Sequence, residues 1–232
     1  MGYLTGITGG FEYLTKASRL LKTNAQPYTK AILVSLKKLI VEESPDIVFL
    51  SEVHDMPEIR ELVGKYFTEI DIRSKYLAGD LMSRIPRVNK NANALFTKNG
   101  FTGKESYLHT GTKKLLYTVE LAPAKVLVAG HFALTESARA EQFEEISRMF
   151  PRSELFVIGD LNLFGGIHEL DRLCKKRNLR VFNNLSQPTF PVSRPRKAID
   201  LLLGPTTTEG SVKVRSDIID SDHFPIIGKI AL

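Results

Sequence analysis

Short apolar runs alternate with amphipathic segments along the chain, and this alternation predicts a mixed α/β protein. The segment QPYTKAILVSLKKLIVEESP carries apolar residues at helical spacing between two prolines, so it predicts a helix. The run DIVFLSEV that follows is continuous and rich in branched residues, and it predicts a strand buried on both faces. Because GYLTGITGG is a short strand candidate before the helix, the chain is predicted to begin as strand, helix and strand.

The remainder of the chain predicts a series of strands with two further helices. The runs NALFTK, YLHTG, LLYTVEL and KVLVAGHFAL are short and separated by turn residues, so we expect antiparallel strands. TESARAEQFEEISRMFP predicts a helix that begins near Thr135 and ends at Pro151. Further predicted elements are ELFVIGDLN (strand), IHELDRLCKKRN (helix), LRVF, KAIDLLLGP and HFPIIGKIAL (strands). No repeat or linker interrupts them, so we expect a single domain over residues 1–232, with two packed sheets and helices outside.

Composition and charge narrow the class of partner. A hydrophobic content of 43% with 25% charged residues is typical of a soluble globular protein. The net charge of +6 favours an anionic partner, such as nucleic acid, a phosphorylated metabolite or an acidic membrane surface. The single Cys174 excludes an internal disulfide framework and a cysteine-rich zinc site. No apolar run approaches the ~20 residues of a membrane helix, and no secretory signal is evident, so we expect a cytoplasmic monomer without a membrane span.

Polar side chains stand at the ends of the predicted buried strands, where a core has no place for them. These side chains are Glu52, His131, Asp160, Asn162 and Asp200, followed by Asp222 and His223 just before the last strand. In α/β sheets such positions gather at one edge. Because a buried carboxylate is costly unless it is paired or binds a cation, and oxygen ligands suit hard metals, the pattern predicts a shared site for Mg²⁺, with Mn²⁺ as the alternative ion.

Each of these residues also has an ordinary structural interpretation. Glu52 could be a solvated strand end, and Asp160 with Asn162 could form a turn or a helix cap. Asp200 could pair with a neighbouring basic side chain, and His131 could be a hydrogen-bonded core histidine. Taken singly, none of them establishes a catalytic site. Their order along the chain favours one.

That order resembles the endonuclease/exonuclease/phosphatase superfamily, which has the fold of pancreatic-type deoxyribonuclease. PDIVFLSEV resembles the family's Pro-Asp-Ile-(apolar)-Gln-Glu strand, with Ser51 where Gln is usual, and VAGHFAL resembles its Thr-His-Leu strand. Arg139 and Gln142 match a recurring Arg-x-x-Gln on the next helix. VIGDLN, KAIDLLLG and SDHFPI are similar to Gly-Asp-Phe-Asn, Arg-Ile-Asp-Tyr-Ile and Ser-Asp-His-Tyr-Pro-Val. The resemblance spans essentially the whole chain and implies a four-layer α/β/β/α sandwich of two packed mixed β-sheets with helices on the outer faces.

The resemblance also implies a divalent-metal-dependent phosphoester hydrolase. Glu52 would bind Mg²⁺, and Asp222 would contribute from the other side of the ion. Asp160 would orient or deprotonate the attacking water. One motif departs from the family pattern. The usual first strand carries Thr-Tyr-Asn, and LTGITG places Gly6 at the Asn position, which removes a side-chain ligand.

The same resemblance implies how the phosphate is bound. Asn162 and His131 would hold it, and His223 would contact a phosphate oxygen with its tautomer set by Asp200. Basic residues near the motifs are either solvated surface charge or contacts to a nucleic-acid backbone, and the latter would weaken steeply with salt. These residues are Arg84, Arg87, Lys90, Lys98, Arg194, Arg196 and Lys197.

Three functions stay open from the sequence. The first is a magnesium-dependent phosphodiesterase or nuclease that acts on nucleic acid. The second is a phosphatase or phosphodiesterase of a small phosphorylated metabolite or lipid head group. The third is a catalytically impaired member that binds anions, which Gly6 favours. The chain has no Trp and few loop aromatics to stack bases, which argues against sequence or lesion specificity.

Overall fold

The structure is a computed structural model that describes residues 26–74 and 91–232 of the chain. Its helices are α1 (Gln26–Glu43), α2 (Pro57–Val63), α3 (Glu136–Met149) and α4 (Asp171–Arg177), the last preceded by a 3-10 turn at Ile167–Leu170. Its strands are β1 (Ile47–His54), β2 (Glu69–Ser74), β3 (Asn91–Thr97), β4 (Gly103–Tyr107), β5 (Leu115–Ala122), β6 (Lys125–His131), β7 (Glu154–Asp160), β8 (Leu179–Val181), β9 (Asp200–Pro205), β10 (Gly210–Val214) and β11 (Ile226–Ile230). The predicted strand GYLTGITGG, with Gly6, lies outside the described residues, as do Arg84, Arg87 and Lys90.

The strands of the described residues form two sheets and a hairpin. The larger sheet has six strands in the order β4-β5-β6-β7-β9-β8, and β6 and β7 are its parallel pair. The smaller sheet has three antiparallel strands in the order β1-β3-β2, and β10 pairs with β11. No helix of the described ranges is both long and apolar enough to cross a membrane.

The apolar side chains place these elements in layers. Leu36 of α1 packs with Phe96 on the outer face of the smaller sheet, while the neighbouring Leu95 points to the opposite face. There Leu95 joins Tyr117 of β5 in a cluster between the two sheets. Phe143 of α3 belongs to a third cluster on the outer face of the larger sheet. The order is therefore helix, sheet, sheet, helix, and the predicted α/β/β/α architecture is confirmed.

One strand prediction was wrong in detail. The segment YLHTG contributes only Tyr107 to β4, because the chain turns immediately afterwards and the Leu108 amide donates to the Lys114 carbonyl at 2.9 Å. β1 is covered on both faces as predicted, since Leu50 packs in the outer cluster and Phe49 against the cluster between the sheets, although only Leu50 and Val53 are fully buried. The sequence interpretation also missed α2, β2 and β10, which are short. The helix predicted to begin near Thr135 does so, with Thr135 at its N-cap position.

The register of three adjacent strands positions the polar residues. His131 of β6 lies beside Asp160 of β7 in the parallel pair, and Asp160 lies beside Asp200 of β9 in the antiparallel pair. Gly159 makes this approach possible: its φ is +143°, and a Cβ there would come within 1.8 Å of the Gly130 carbonyl oxygen. The predicted gathering of strand-end side chains at one sheet edge is confirmed for these three residues.

Gly159→Ala tests this close approach. Because the new methyl meets backbone rather than a flexible side chain, and the φ is strained for alanine, we expect a loss of about 3 kcal/mol or more in unfolding free energy. Gly100→Ala is the control, since Gly100 has a φ of +95° but no atom within 4 Å of the new Cβ, and it should lose only about 1 kcal/mol. Urea unfolding measures both, and equal losses would contradict the role given to Gly159.

Candidate active site

Asp200 and His223 form the first of two carboxylate–imidazole pairs. Asp200 Oδ2 lies 2.8 Å from His223 Nδ1, and both side chains are largely buried. Burial alone would lower the pKa of His223, but the Asp200 carboxylate outweighs it and raises that pKa to about 9. His223 is therefore protonated at neutral pH, with its Nε2–H left to donate to a bound group.

Thr189 makes three hydrogen bonds that hold the Asp200–His223 pair in position. Its hydroxyl oxygen accepts the amides of Ile199 and Asp200, each at 3.2 Å, and its carbonyl accepts the amide of Phe224 at 2.8 Å. This buried threonine therefore ties the start of β9 to the segment that carries His223. The sequence interpretation did not single it out, because a threonine between a glutamine-proline pair and a phenylalanine carries no pattern of its own.

His131 and Asp160 form the second pair. His131 Nε2 lies 3.0 Å from Asp160 Oδ2 and against the ammonium of Lys113. Burial lowers the pKa of His131, and the Lys113 charge lowers it further, so this imidazole is neutral. Burial raises the pKa of Asp160, but interaction with the His131 imidazole and the charges of His223 and Lys113 outweigh it, and the pKa lies below its usual range. The Asp160 carboxylate is therefore ionised.

Asn162, two residues after Asp160, has a left-handed backbone conformation. Its φ is +52°, and its amide donates to Asp160 Oδ1 at 3.0 Å. Its side-chain Nδ2 donates to the Phe132 carbonyl at 2.8 Å, so the side chain is fixed beside β6. Non-glycine residues with positive φ cost of order 1–3 kcal/mol and are frequent at functional sites. The conformation is thus consistent with the predicted role of Asn162 in holding a phosphate.

Glu52 stands on an irregular part of β1. The pairing of β1 with β3 shifts between Leu50 and Val53, and Glu52 within this bulge has a φ of +55°. Its amide donates to Oδ1 of Asn93, a buried residue of β3 that the sequence interpretation missed. Glu52 Oε1 lies 3.8 Å from His131 Nδ1, too far for a hydrogen bond, and that buried nitrogen has no hydrogen-bond partner among the described residues.

Asp222 and Glu52 have the properties of a site for a hard cation. Burial raises the pKa of Asp222, and the Glu52 carboxylate raises it further against an opposing effect of His223. A divalent ion between two such carboxylates would relieve this repulsion, and carboxylate oxygens are the ligands that Mg²⁺ prefers. A second group that could hold a metal is Asp160, Asp200 and His223, whose ligand atoms lie within 4.8 Å of one another. The residues present therefore fit a divalent metal.

The fold that carries this site is also found in solved structures. An endonuclease/exonuclease/phosphatase from Bacteroides vulgatus is similar with a TM-score of 0.66 at 14% identity, over 88% of this chain and 91% of that one. A truncated TDP2 from Caenorhabditis elegans has a TM-score of 0.63 at 18% identity, over 89% and 92%. A mannosyl-6-phosphatase from Bacteroides thetaiotaomicron has a TM-score of 0.63 at 12% identity, over 88% and 92%. This chain has the endonuclease/exonuclease/phosphatase fold.

The similarity of this chain to these proteins is in fold rather than in sequence. Neither protein-family models nor curated protein sequences match the chain. The identities to the solved structures are 14%, 18% and 12%. At identities this low the comparison confirms the fold that the motif order predicted, and the fold alone. The roles of the individual site residues stay predictions.

Two phenylalanines border the site of this endonuclease/exonuclease/phosphatase fold. The ring of Phe190 lies 4.6 Å from the His223 ring, centroid to centroid, and Phe164 lies 6.2 Å from Phe190. Phe164 is exposed, and the Lys197 ammonium lies 5.7 Å from its ring centroid. The sequence indicated few loop aromatics, and it could not show that these two lie together beside His223.

The predicted basic contacts divide into two groups. Arg194 and Arg196 are exposed on the segment between Phe190 and Asp200, close in sequence to the site. Lys98 lies elsewhere: it follows β3 and donates to the Ser44 carbonyl at 2.9 Å, beside the start of β1 rather than its Glu52 end. Solvated surface charge and contact with a nucleic-acid backbone both stay predictions for Lys98.

The His223–Asp200 pair predicts a pH-dependent contribution to stability. The folded pKa of His223, about 9, exceeds the ordinary histidine value of 6.5, so the contribution is complete below about 6.5 and disappears as pH rises through 9. Asp200→Asn should therefore lower the unfolding free energy clearly at pH 6 and much less at pH 9.5. Urea unfolding with EDTA present measures this difference. A loss that is constant across this range would contradict the ion pair.

Proposed function

We propose that the protein is a divalent-metal-dependent phosphoester hydrolase, a phosphodiesterase that acts on nucleic acid. The observation that carries the proposal is the meeting of two carboxylate–imidazole pairs, His223–Asp200 and His131–Asp160, at one sheet edge. A protonated imidazole, a neutral imidazole and an ionised carboxylate beside one another suit a reaction in which a water attacks a charged ester. The solved structures of this fold include proteins titled endonuclease/exonuclease/phosphatase and mannosyl-6-phosphatase, which agrees with that chemistry.

Each side chain has a distinct part in the proposed reaction. Asp160 would orient the attacking water and accept its proton as the new P–O bond forms and the bond to the leaving ester oxygen breaks, because it is an ionised carboxylate beside His131. His223 would donate its Nε2–H to a phosphate oxygen, oriented by Asp200 at Nδ1. Asn162 and His131 would hold the phosphate against these groups. Their contribution would grow as negative charge builds on the phosphate oxygens.

The metal would be held by Glu52 and Asp222. When bound there, a divalent ion would supply Lewis-acid stabilisation of a phosphate oxygen. We favour these carboxylates over the group that contains His223, because Asp200 already accepts a hydrogen bond from His223 and a protonated imidazole is not a ligand. Gly6 offers no further ligand, so water or another group would complete the coordination.

Nucleic acid is the proposed substrate because charge and rings occur together beside the site. The net charge is +6, and exposed Arg194 and Arg196 precede Asp200. The Phe164–Phe190 pair offers ring surface next to His223, which suits a base or sugar attached to the phosphate. A small phosphorylated metabolite or lipid head group is the second candidate, supported by the similarity to a mannosyl-6-phosphatase. An anion-binding member without turnover is the third.

A substrate panel tests the hydrolase proposal. The purified protein is assayed on plasmid DNA, abasic DNA, RNA and small phosphomonoesters and phosphodiesters, each with Mg²⁺, Mn²⁺ or EDTA. We expect turnover of a nucleic acid with a divalent ion and none with EDTA. His223→Ala should lower kcat roughly 10²- to 10³-fold, as for loss of one donor that stabilises charge on the phosphate. His109→Ala is the control, because the His109 side chain is 92% exposed. Absence of turnover on every substrate would favour the anion-binding alternative.

The metal assignment has its own prediction. Glu52→Gln should weaken Mn²⁺ binding by at least tenfold because it removes one anionic ligand, while His223→Ala should leave that affinity nearly unchanged. Calorimetric titration of Mn²⁺ measures both variants independently of activity. If His223→Ala weakens binding and Glu52→Gln does not, the metal belongs to the Asp160, Asp200 and His223 group instead.

A further inference from the structure

The turn between β4 and β5 carries a lysine into the predicted site. The ammonium of Lys113 contacts His131 Nε2, the same nitrogen that lies 3.0 Å from Asp160 Oδ2. Lys113 is half-buried, whereas Lys104 on the preceding strand is exposed. A positive charge therefore lies at the sheet edge where β6 and β7 end.

The backbone of Lys113 is held in place by the helix behind it. The Gln142 side chain of α3 is fully buried, and its Nε2 donates to the carbonyls of Thr110 and Lys113 at 2.9 and 2.8 Å. Its Oε1 accepts the amide of Ala133, two residues beyond His131, at 2.9 Å. One buried amide thus fixes the Lys113 turn relative to the end of β6, which carries His131.

The turn itself is shaped for this contact. Gly111 has a φ of +85°, and a Cβ there would lie 3.0 Å from Gln142 Nε2. Glycine is thus favoured both by the backbone conformation and by the approach of the glutamine. The Leu108 amide closes the turn on the Lys114 carbonyl at 2.9 Å. The position of Lys113 is therefore built by several long-range contacts rather than by a loose surface loop.

We propose that Lys113 is a catalytic residue that contacts the phosphate of the substrate directly and balances the charge that develops on its oxygens. The inference rests on the proposed function and extends it to a residue outside the recognised motifs. An ammonium has three donors and no acceptor, so beside the His131 imidazole and the Asp160 carboxylate it can also donate to a phosphate oxygen. The neighbouring Asn162 side chain is an amide and carries no charge, so Lys113 adds a positive charge at this position.

A purely structural role for Lys113 predicts different results. If the lysine only paired with Asp160, its removal would lower stability and leave anion binding unchanged. If it contacts phosphate, its removal should weaken the binding of inorganic phosphate and lower kcat, with little change in the unfolding midpoint. The two roles therefore separate in measurements that do not depend on one another.

The test uses Lys113→Met and Lys113→Arg, with Lys104→Met as a control that removes one positive charge from exposed β4. On the substrate that the wild type turns over, Lys113→Met should lower kcat/KM roughly 10²-fold, as for loss of one charge-stabilising donor. Lys113→Arg should recover part of this, and Lys104→Met should match the wild type. In calorimetric titration, Lys113→Met should bind inorganic phosphate at least fivefold more weakly than Lys104→Met.

Failure of this inference differs from failure of the proposed function. A wild type that hydrolyses no substrate contradicts the proposed function, and phosphate titration then still tests the contact of Lys113. Phosphate binding by Lys113→Met equal to that of Lys104→Met overturns the inference, as does unchanged kcat/KM in an active wild type. Loss of both properties together with a large drop in the unfolding midpoint also overturns it, because the lysine then acts through structure.

Discussion

The site depends on one constraint, the register in which β7 lies between β6 and β9. This register sets His131, Asp160 and Asp200 side by side at the end of three neighbouring strands. Successive side chains of a strand point to opposite faces, so a slip of one residue would turn Asp160 away from both partners. The backbone continues the alignment past the strand ends, because Phe132 donates to the Asp160 carbonyl at 2.9 Å and Leu161 donates to the Ile199 carbonyl at 2.8 Å.

Buried polar side chains hold the loops around the site in fixed positions relative to the strands. Gln142 joins the turn before β5 to the loop after β6, and Thr189 joins the start of β9 to the segment before β11. Arg139 donates to the carbonyls of Ala133 and Leu134 and also pairs with Glu169. A buried polar group that is satisfied stabilises a single arrangement, whereas an unsatisfied one is costly. The loops around the site are therefore held nearly as firmly as the sheet.

Sequence patterns predicted what depends on local order, and they failed where a distant contact decides. Asp160 and Asp200 end or begin apolar strands, so their gathering at one edge could be expected, and the motif order predicted the sandwich. Lys113 had no such signal, because it is one of two adjacent lysines in a turn and only Gln142, on a later helix, fixes its position. The strand predicted at YLHTG failed because the chain turns after Tyr107, with the Leu108 amide donating to the Lys114 carbonyl. Lys98 lies at the end of β1 opposite Glu52, because closeness in sequence to a motif says nothing about which end of the strand a residue occupies.

The two histidines show how one residue type can take two parts in a single site. His223 gains the Asp200 carboxylate, and its pKa rises to about 9, so its charge persists through neutral pH. His131 is more deeply enclosed and meets a lysine, so its pKa falls although Asp160 adjoins it. Environment rather than identity therefore separates a charged donor from a neutral one. Since Asp160 stays ionised between them, the edge combines a carboxylate, a neutral imidazole and a protonated imidazole, and the proposed hydrolysis of an anionic ester would use this division of charge.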